Sequence, residues 1–196
     1  MCCNNIDMSN IVIDIKLKNV DKNVKVKLWT DYIFLTNEER IEFLQKPKEY
    51  LIEQVHYNKD VLTDTEHEVK LNFMHPIKEL IWKLDDNNHD TLTSAVIKFN
   101  QSDIFVERLK DYFTLVQRYN YHTSKKSGDK DIYLYSFSLN NNNDYLQPFG
   151  YVNFTNLDKK SLLVKGTWVD GTITIYAINY NILSFKNGKC ILKYFN

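Results

Sequence analysis

The chain is poor in the residues that punctuate or staple a fold: among 196 residues there are 5 glycines, 3 prolines and 3 cysteines. No glycine-rich phosphate loop, nucleophile elbow or dinucleotide fingerprint is present. The cysteines are Cys2, Cys3 and Cys190. An odd count without C-x-x-C spacing argues against a disulfide framework and against a zinc ribbon. Cys190 sits in an apolar run and reads as a small core residue. Excess charge is lacking too, with 25 basic residues against 25 acidic ones. Such a balance offers nothing to neutralise phosphates, so nucleic-acid binding is not expected. No apolar run approaches the roughly 18 residues that span a bilayer. Met1 to Asn5 lack the apolar centre of a secretory signal, and the expectation is a soluble, intracellular protein without membrane insertion.

What the chain does have is aromatics: 13 Tyr, 11 Phe and 3 Trp. These suit pleated, half-buried surfaces and tilt the reading toward β structure. Residues Asn10 to Lys18 alternate strictly, with Ile11, Ile13, Ile15 and Leu17 on one face. Asp21-Lys22-Asn23 supplies a turn, and Val24 to Leu35 reads as a second strand, giving a hairpin. Thr36-Asn37-Glu38-Glu39 fits a capping box, which predicts a helix from Asn37 to Gln45. Pro47 is read as the start of another helical turn carrying Tyr50 and Leu51.

Strands follow near Glu66–Phe73, Ile77–Leu84, Ser94–Phe99, Ile132–Leu139, Tyr151–Asn156, Ser161–Lys165, Thr172–Leu183 and Lys189–Phe195. A change of apolar face near Ala177 hints at a bulge. A helical turn or two is expected around Ile104–Lys110. The polar breaks at Asp85–Asn88, Ser127–Asp129, Asn140–Asp144, Val169–Gly171 and Lys186–Gly188 are turns. About eight strands over the last 140 residues or so suggest a sandwich or barrel. The domain reading is a disordered N-terminus 1–9, a hairpin 10–36, a helical linker 37–55 and an all-β jelly-roll sandwich 56–196.

No catalytic, cofactor-binding or metal-binding residues emerge. His67-Glu68 begins like a zinc-protease helix, but the second histidine is missing and the region reads as a strand. His56, His75, His89 and His122 are scattered, without ligand spacing. Asp85 to Asp90 lacks the glycine and distal glutamate of a calcium loop. Ser127-Gly128-Asp129-Lys130 matches Ser-x-x-Lys, yet no helix would hold the pair together. Asn100-Gln101-Ser102 and Asn153-Phe154-Thr155 are formal glycosylation sequons that matter only in a secretory compartment.

One stretch carries more information. Asn72-Phe73-Met74-His75-Pro76-Ile77-Lys78-Glu79-Leu80-Ile81-Trp82 resembles the start of the second jelly roll in the major capsid protein of the nucleocytoplasmic large DNA viruses. Val26 to Leu35 followed by Glu38-Glu39-Arg40 is similar to the end of that family's first jelly roll. Glu49-Tyr50-Leu51-Ile52-Glu53-Gln54 matches the lead into the second. Arg108 with Tyr112-Phe113, Tyr121-His122-Thr123, Ile132 to Leu139, Gln147-Pro148 with Gly150, Asn153-Phe154-Thr155 and Ala177 to Leu183 recur in the family's order. Departures occur at Gln117 to Thr123 and in an enlarged loop at Asn140–Asp144.

The resemblance implies a structural role. It points to a subunit that trimerises into capsomers of an icosahedral virion assembled in the infected-cell cytoplasm, without cofactors. It also implies contacts with itself, with other capsid proteins and with a chain supplying the first jelly roll, because family members are usually more than twice this long. Two other readings compete. A lectin-type jelly-roll module would show aromatics clustered on one rim, Trp168 and Tyr151 first. A cupin-type enzyme would need converging histidines and carboxylates.

Overall fold

The computed structural model describes residues 6–7, 15, 24–85, 91–122, 132–141, 147–169, 171–186 and 189–194. In chain order the elements are β1 (Ile6–Asp7), α1 (Asn37–Gln45), β2 (Lys48–Leu62), β3 (Glu66–Lys70), β4 (Pro76–Leu84), β5 (Leu92–Phe99), β6 (Ser102–Asp103) and β7 (Arg108–Leu109). A π-helical turn (Tyr112–Val116) then runs into α2 (Gln117–Tyr121). After it come β8 (Ile132–Ser136), β9 (Val152–Asn153), a 3-10 turn (Phe154–Asn156), β10 (Lys160–Gly166), β11 (Gly171–Lys186) and β12 (Lys189–Leu192). The chain divides into two compact units, Leu51–Asn181 with Asn196, and Met1–Tyr50 with Ile182–Phe195.

The larger unit is an antiparallel sandwich. In one sheet β11 pairs β4 and β4 pairs β8, with β2 also on β11 and β9 on the start of β4. In the other the order is β3-β10-β5-β6, and β7 adds to β5. The inner faces follow period-2 alternation. Leu80, Trp82 and Leu84 of β4 meet Ile173, Ile175 and Ala177 of β11, and across the layer lie Val69, Ile97, Leu162 and Val164. Trp82 is the hub. Its ring centroid lies 5.1 Å from Phe113 at 62° and 6.1 Å from Tyr133 at 20°. Aromatic pairs of this geometry add about 0.5–1.5 kcal/mol each beyond the area they bury.

Two details position the surfaces discussed below. The β4–β11 ladder slips where Ile178 faces Glu79 while Asn179 faces Ile77, so Lys78 is the extra residue of the bulge, and its carbonyl accepts from the Phe137 N–H. The bulge thus falls one residue past the expected Ala177, and it leaves Lys78 and Glu79 both outside the apolar interior. Gly166 ends β10 where a side chain would collide with the Thr91 carbonyl and come within 2.6 Å of the Trp168 ring.

Helix α1 has the expected limits and cap: the Thr36 hydroxyl oxygen accepts from the Glu39 N–H while Glu39 accepts from the Thr36 N–H. The Thr36 N–H and hydroxyl, both donating to the exposed Glu39 carboxylate, hold it below its ordinary pKa. Within the smaller unit β12 pairs the end of β11, and Tyr50 meets Phe185 edge-on at 5.8 Å.

Several expectations need correction. The linker 37–55 is helical only as far as Gln45, since Pro47 introduces the 15-residue strand β2 and no second helical turn. Its middle inward positions, between Ile52 and Leu62, are polar (Gln54, His56, Asn58, Asp60), which disguised the strand. They are satisfied laterally, Asn181 donating to Gln54 at 2.7 Å and Asn58 to the Lys70 carbonyl at 2.9 Å. Residues 24–36 form no strand and are exposed. The helix sought at Ile104–Lys110 lies later, around Tyr112–Tyr121, because Phe113, Thr114 and Gln117 turn inward over a widened π turn. Ile6 and Asp7, expected to be disordered, pair with Cys190 and Lys189. The first hairpin strand apart from Ile15, the segments 86–90 and 123–131, the loop 142–146 and Cys2-Cys3 lie outside the described residues.

Candidate assembly surface

The polar candidates do not converge on chemistry. Among the described residues no group of three or more His, Cys, Asp or Glu side chains could hold a metal ion. His67 lies 3.5 Å from Asp60, and Glu68 accepts the Ser161 hydroxyl proton. Asp85 accepts from the Thr172 N–H at 2.9 Å, closing the β4–β11 end. Asn100 accepts from the N–H groups of Asp158 and Lys159, and Asn153 from that of Thr155, so both sequon asparagines act as turn formers. A polar cleft of about 530 Å³ opens between Lys70, Asn72, Gln101 and Lys159. Its only hydroxyl is that of Ser161, already committed to Glu68.

One polar network is buried. Glu79, almost without exposure, receives His122 Nε2 at 2.6 Å, and Asn141 Nδ2 reaches Ser136 Oγ at 3.0 Å. The Ser136 N–H donates to Gln117 Oε1, whose amide donates to the Tyr112 hydroxyl at 2.8 Å. Beside them burial, then Tyr112 and Tyr121, push the Tyr135 hydroxyl up to about 12. These bonds fasten α2 and the 137–141 turn to the sheet, a structural use of polar side chains.

The apolar groups left outside are more informative. On β2 the exposed positions are Leu51, Val55, Tyr57 and Val61, with Tyr57 at 68% exposure against the Tyr176 ring. Glu53 in the same row takes the Lys78 ammonium at 2.6 Å, above Tyr180. Val106, Leu109, Leu115, Val116 and Tyr119 are exposed as well. In the smaller unit Leu28, Trp29, Tyr32, Ile33 and Phe34 are exposed, Phe34 at 93%. Monomeric proteins scatter apolar side chains singly, and rows of this length mark contact surfaces.

Comparison with known proteins gives the family. The profile of the large eukaryotic DNA virus major capsid protein family matches residues 85–190. The major capsid protein of Pyramimonas orientalis virus is 34% identical over 197 residues, covering 86% of this chain. The chain belongs to that capsid protein family. The major capsid protein of Paramecium bursaria Chlorella virus 1 is 29% identical over 87% of the chain. The match takes in 48% of the first relative and 54% of the second, so the chain spans about half their length. Among solved structures, PBCV-1 VP54 fitted into the virophage Sputnik superposes with a TM-score of 0.73 at 27% identity, over 84% of this chain and 56% of that one. The Faustovirus major capsid protein, with a TM-score of 0.64 at 13% identity, shares the fold. The capsid family's jelly roll is the sandwich described above. Resemblance in the sequence pointed to it through Phe73 to Trp82, while the outward rows on β2 and around α2 went unread. The odd positions Leu51, Val55, Tyr57 and Val61 would have signalled a strand had the register been anchored on them.

Proposed function

We propose that the chain is a shell-building subunit of a large DNA virus, resident in the virion and assembled in the infected-cell cytoplasm. Copies associate through the faces of the sandwich, as homotrimers that form capsomers and meet other capsid proteins. Family membership carries this reading, and it speaks for a structural role rather than a catalytic one. The exposed rows on β2 and along 106–119 supply the surface such association needs. Burying each large apolar side chain is worth roughly 1.5–3 kcal/mol.

The division into a hairpin 10–36, a linker and a jelly roll belongs to the same proposal. Trp29, Tyr32 and Phe34 are exposed in a segment without a ladder, the condition of a strand that completes another polypeptide's sheet. A chain supplying the first jelly roll is the partner that fits, given relatives of about twice the matched length. The lectin-type alternative finds no platform. Trp168 donates its indole N–H to the Asp64 carbonyl and packs on the core, while Tyr151 sits edge-on to Tyr180.

Native mass spectrometry of residues 1–196, alone and co-expressed with a protein encoded beside it, tests the proposal. A trimer, or a defined complex with that partner, is the expected result. A monomer under both conditions, with Trp29 as accessible to a quencher as in the isolated chain, would overturn it.

A further inference from the structure

His56 and His75 bring two imidazole rings within 6.5 Å of each other, tilted at 53°. His56 is a half-buried inward position of β2. His75 is buried at the mouth of β4 with φ 74, a left-handed conformation held by two backbone contacts. Its N–H donates to the Thr155 hydroxyl and its carbonyl accepts from the Phe154 N–H. That ring therefore has little freedom to move away.

The strands around the pair carry few charged groups. β11 carries none between Gly171 and Asn181, only the phenols of Tyr176 and Tyr180. On β2 itself Glu53 holds Lys78, and Asp60 faces His67 of β3. Lys160, at the start of β10, gives its ammonium to the carbonyls of Phe154 and Leu157. Burial, and then His75, depress the His56 pKa below 6.5. The neutral ring thus belongs to the folded strand, and the stability it lends is full above about 6.5 and lost as the pH falls below that value.

We propose that the His56–His75 pair is an acid-sensitive catch on β2: two protonated rings repel across the sheet, loosen the strand and withdraw its outward apolar row. The row's use in assembly rests on the function proposed above, whereas the catch itself does not. β2 is suited to such release because its inward side between Ile52 and Leu62 is held by hydrogen bonds of Gln54 and Asn58 rather than by an apolar stripe.

Hydrogen exchange of the full, unassembled chain at pH 7.5 and 5.5, corrected for intrinsic rates, tests it. Peptides covering β2 should lose protection at the lower pH. Peptides covering β10 should hold theirs. In His56→Gln the acid-induced loss should vanish. Equal protection of β2 at both pH values, or the same loss in His56→Gln, overturns the catch. If that variant does not fold, proton NMR of the native chain decides: His56 must titrate below 6.5, and a midpoint at or above that value refutes the idea. None of these readouts needs a shell to form, so failure of assembly and failure of the catch remain distinguishable.

Discussion

Trp82 and Trp29 are the same residue type in two regions of one chain, the first with no exposure and the second at 87%. Residues 51–181 place many of their apolar side chains on facing strands, where they close a buried core. Residues 24–35 are equally rich in large apolar groups yet have neither ladder nor layer. Hydrophobicity alone does not bury a segment; a second surface of matching period does. The family relationship gives this contrast its meaning, because a subunit must keep some of its apolar area for its neighbours.

The contrast can be broken at its strong end first. Trp82→Ala removes the hub that touches Phe113 and Tyr133 and should cost about 3–5 kcal/mol, read as a lowered urea midpoint. Gly166→Ala forces a methyl group against the Thr91 carbonyl and the Trp168 ring, and should cost about 1–3 kcal/mol in the same assay. Thr36→Ala deletes the capping box of α1 and should weaken that helix by about 1 kcal/mol, visible as faster amide exchange at Glu38 and Glu39. Trp29→Ser should change the stability of the isolated chain by less than about 0.5 kcal/mol. It should nonetheless weaken the proposed complex, measured by native mass spectrometry. A large loss of stability in Trp29→Ser, or a negligible one in Trp82→Ala, would reverse the comparison.

How much was legible follows from the same physics. β4, β5, β8, β10, β11 and β12 announce themselves because their apolar residues point inward, where period and burial agree. α1 was legible from Thr36 and Glu39, a local device independent of the rest of the fold. β2 was not, because its buried side is polar and its apolar side faces out. The helix around Phe113 was misplaced because a π turn breaks the ordinary spacing. Residues 24–35 read as a strand because their pattern is one, and a pattern cannot report whether its partner is present. The outward rows were missed for a related reason. Exposure of positions such as Leu109 and Tyr119 is set by how the chain turns through Tyr112–Val116, which no local pattern announces.

The extra residue at Lys78 carries a lesson about variation in this lineage. Because Ile77 and Leu80 both reach the interior with Lys78 and Glu79 between them, excising one of that pair would restore plain alternation without shifting Trp82 off its station. The spot works as an expansion joint: the strand takes up one more residue there, and the packed centre stays in phase.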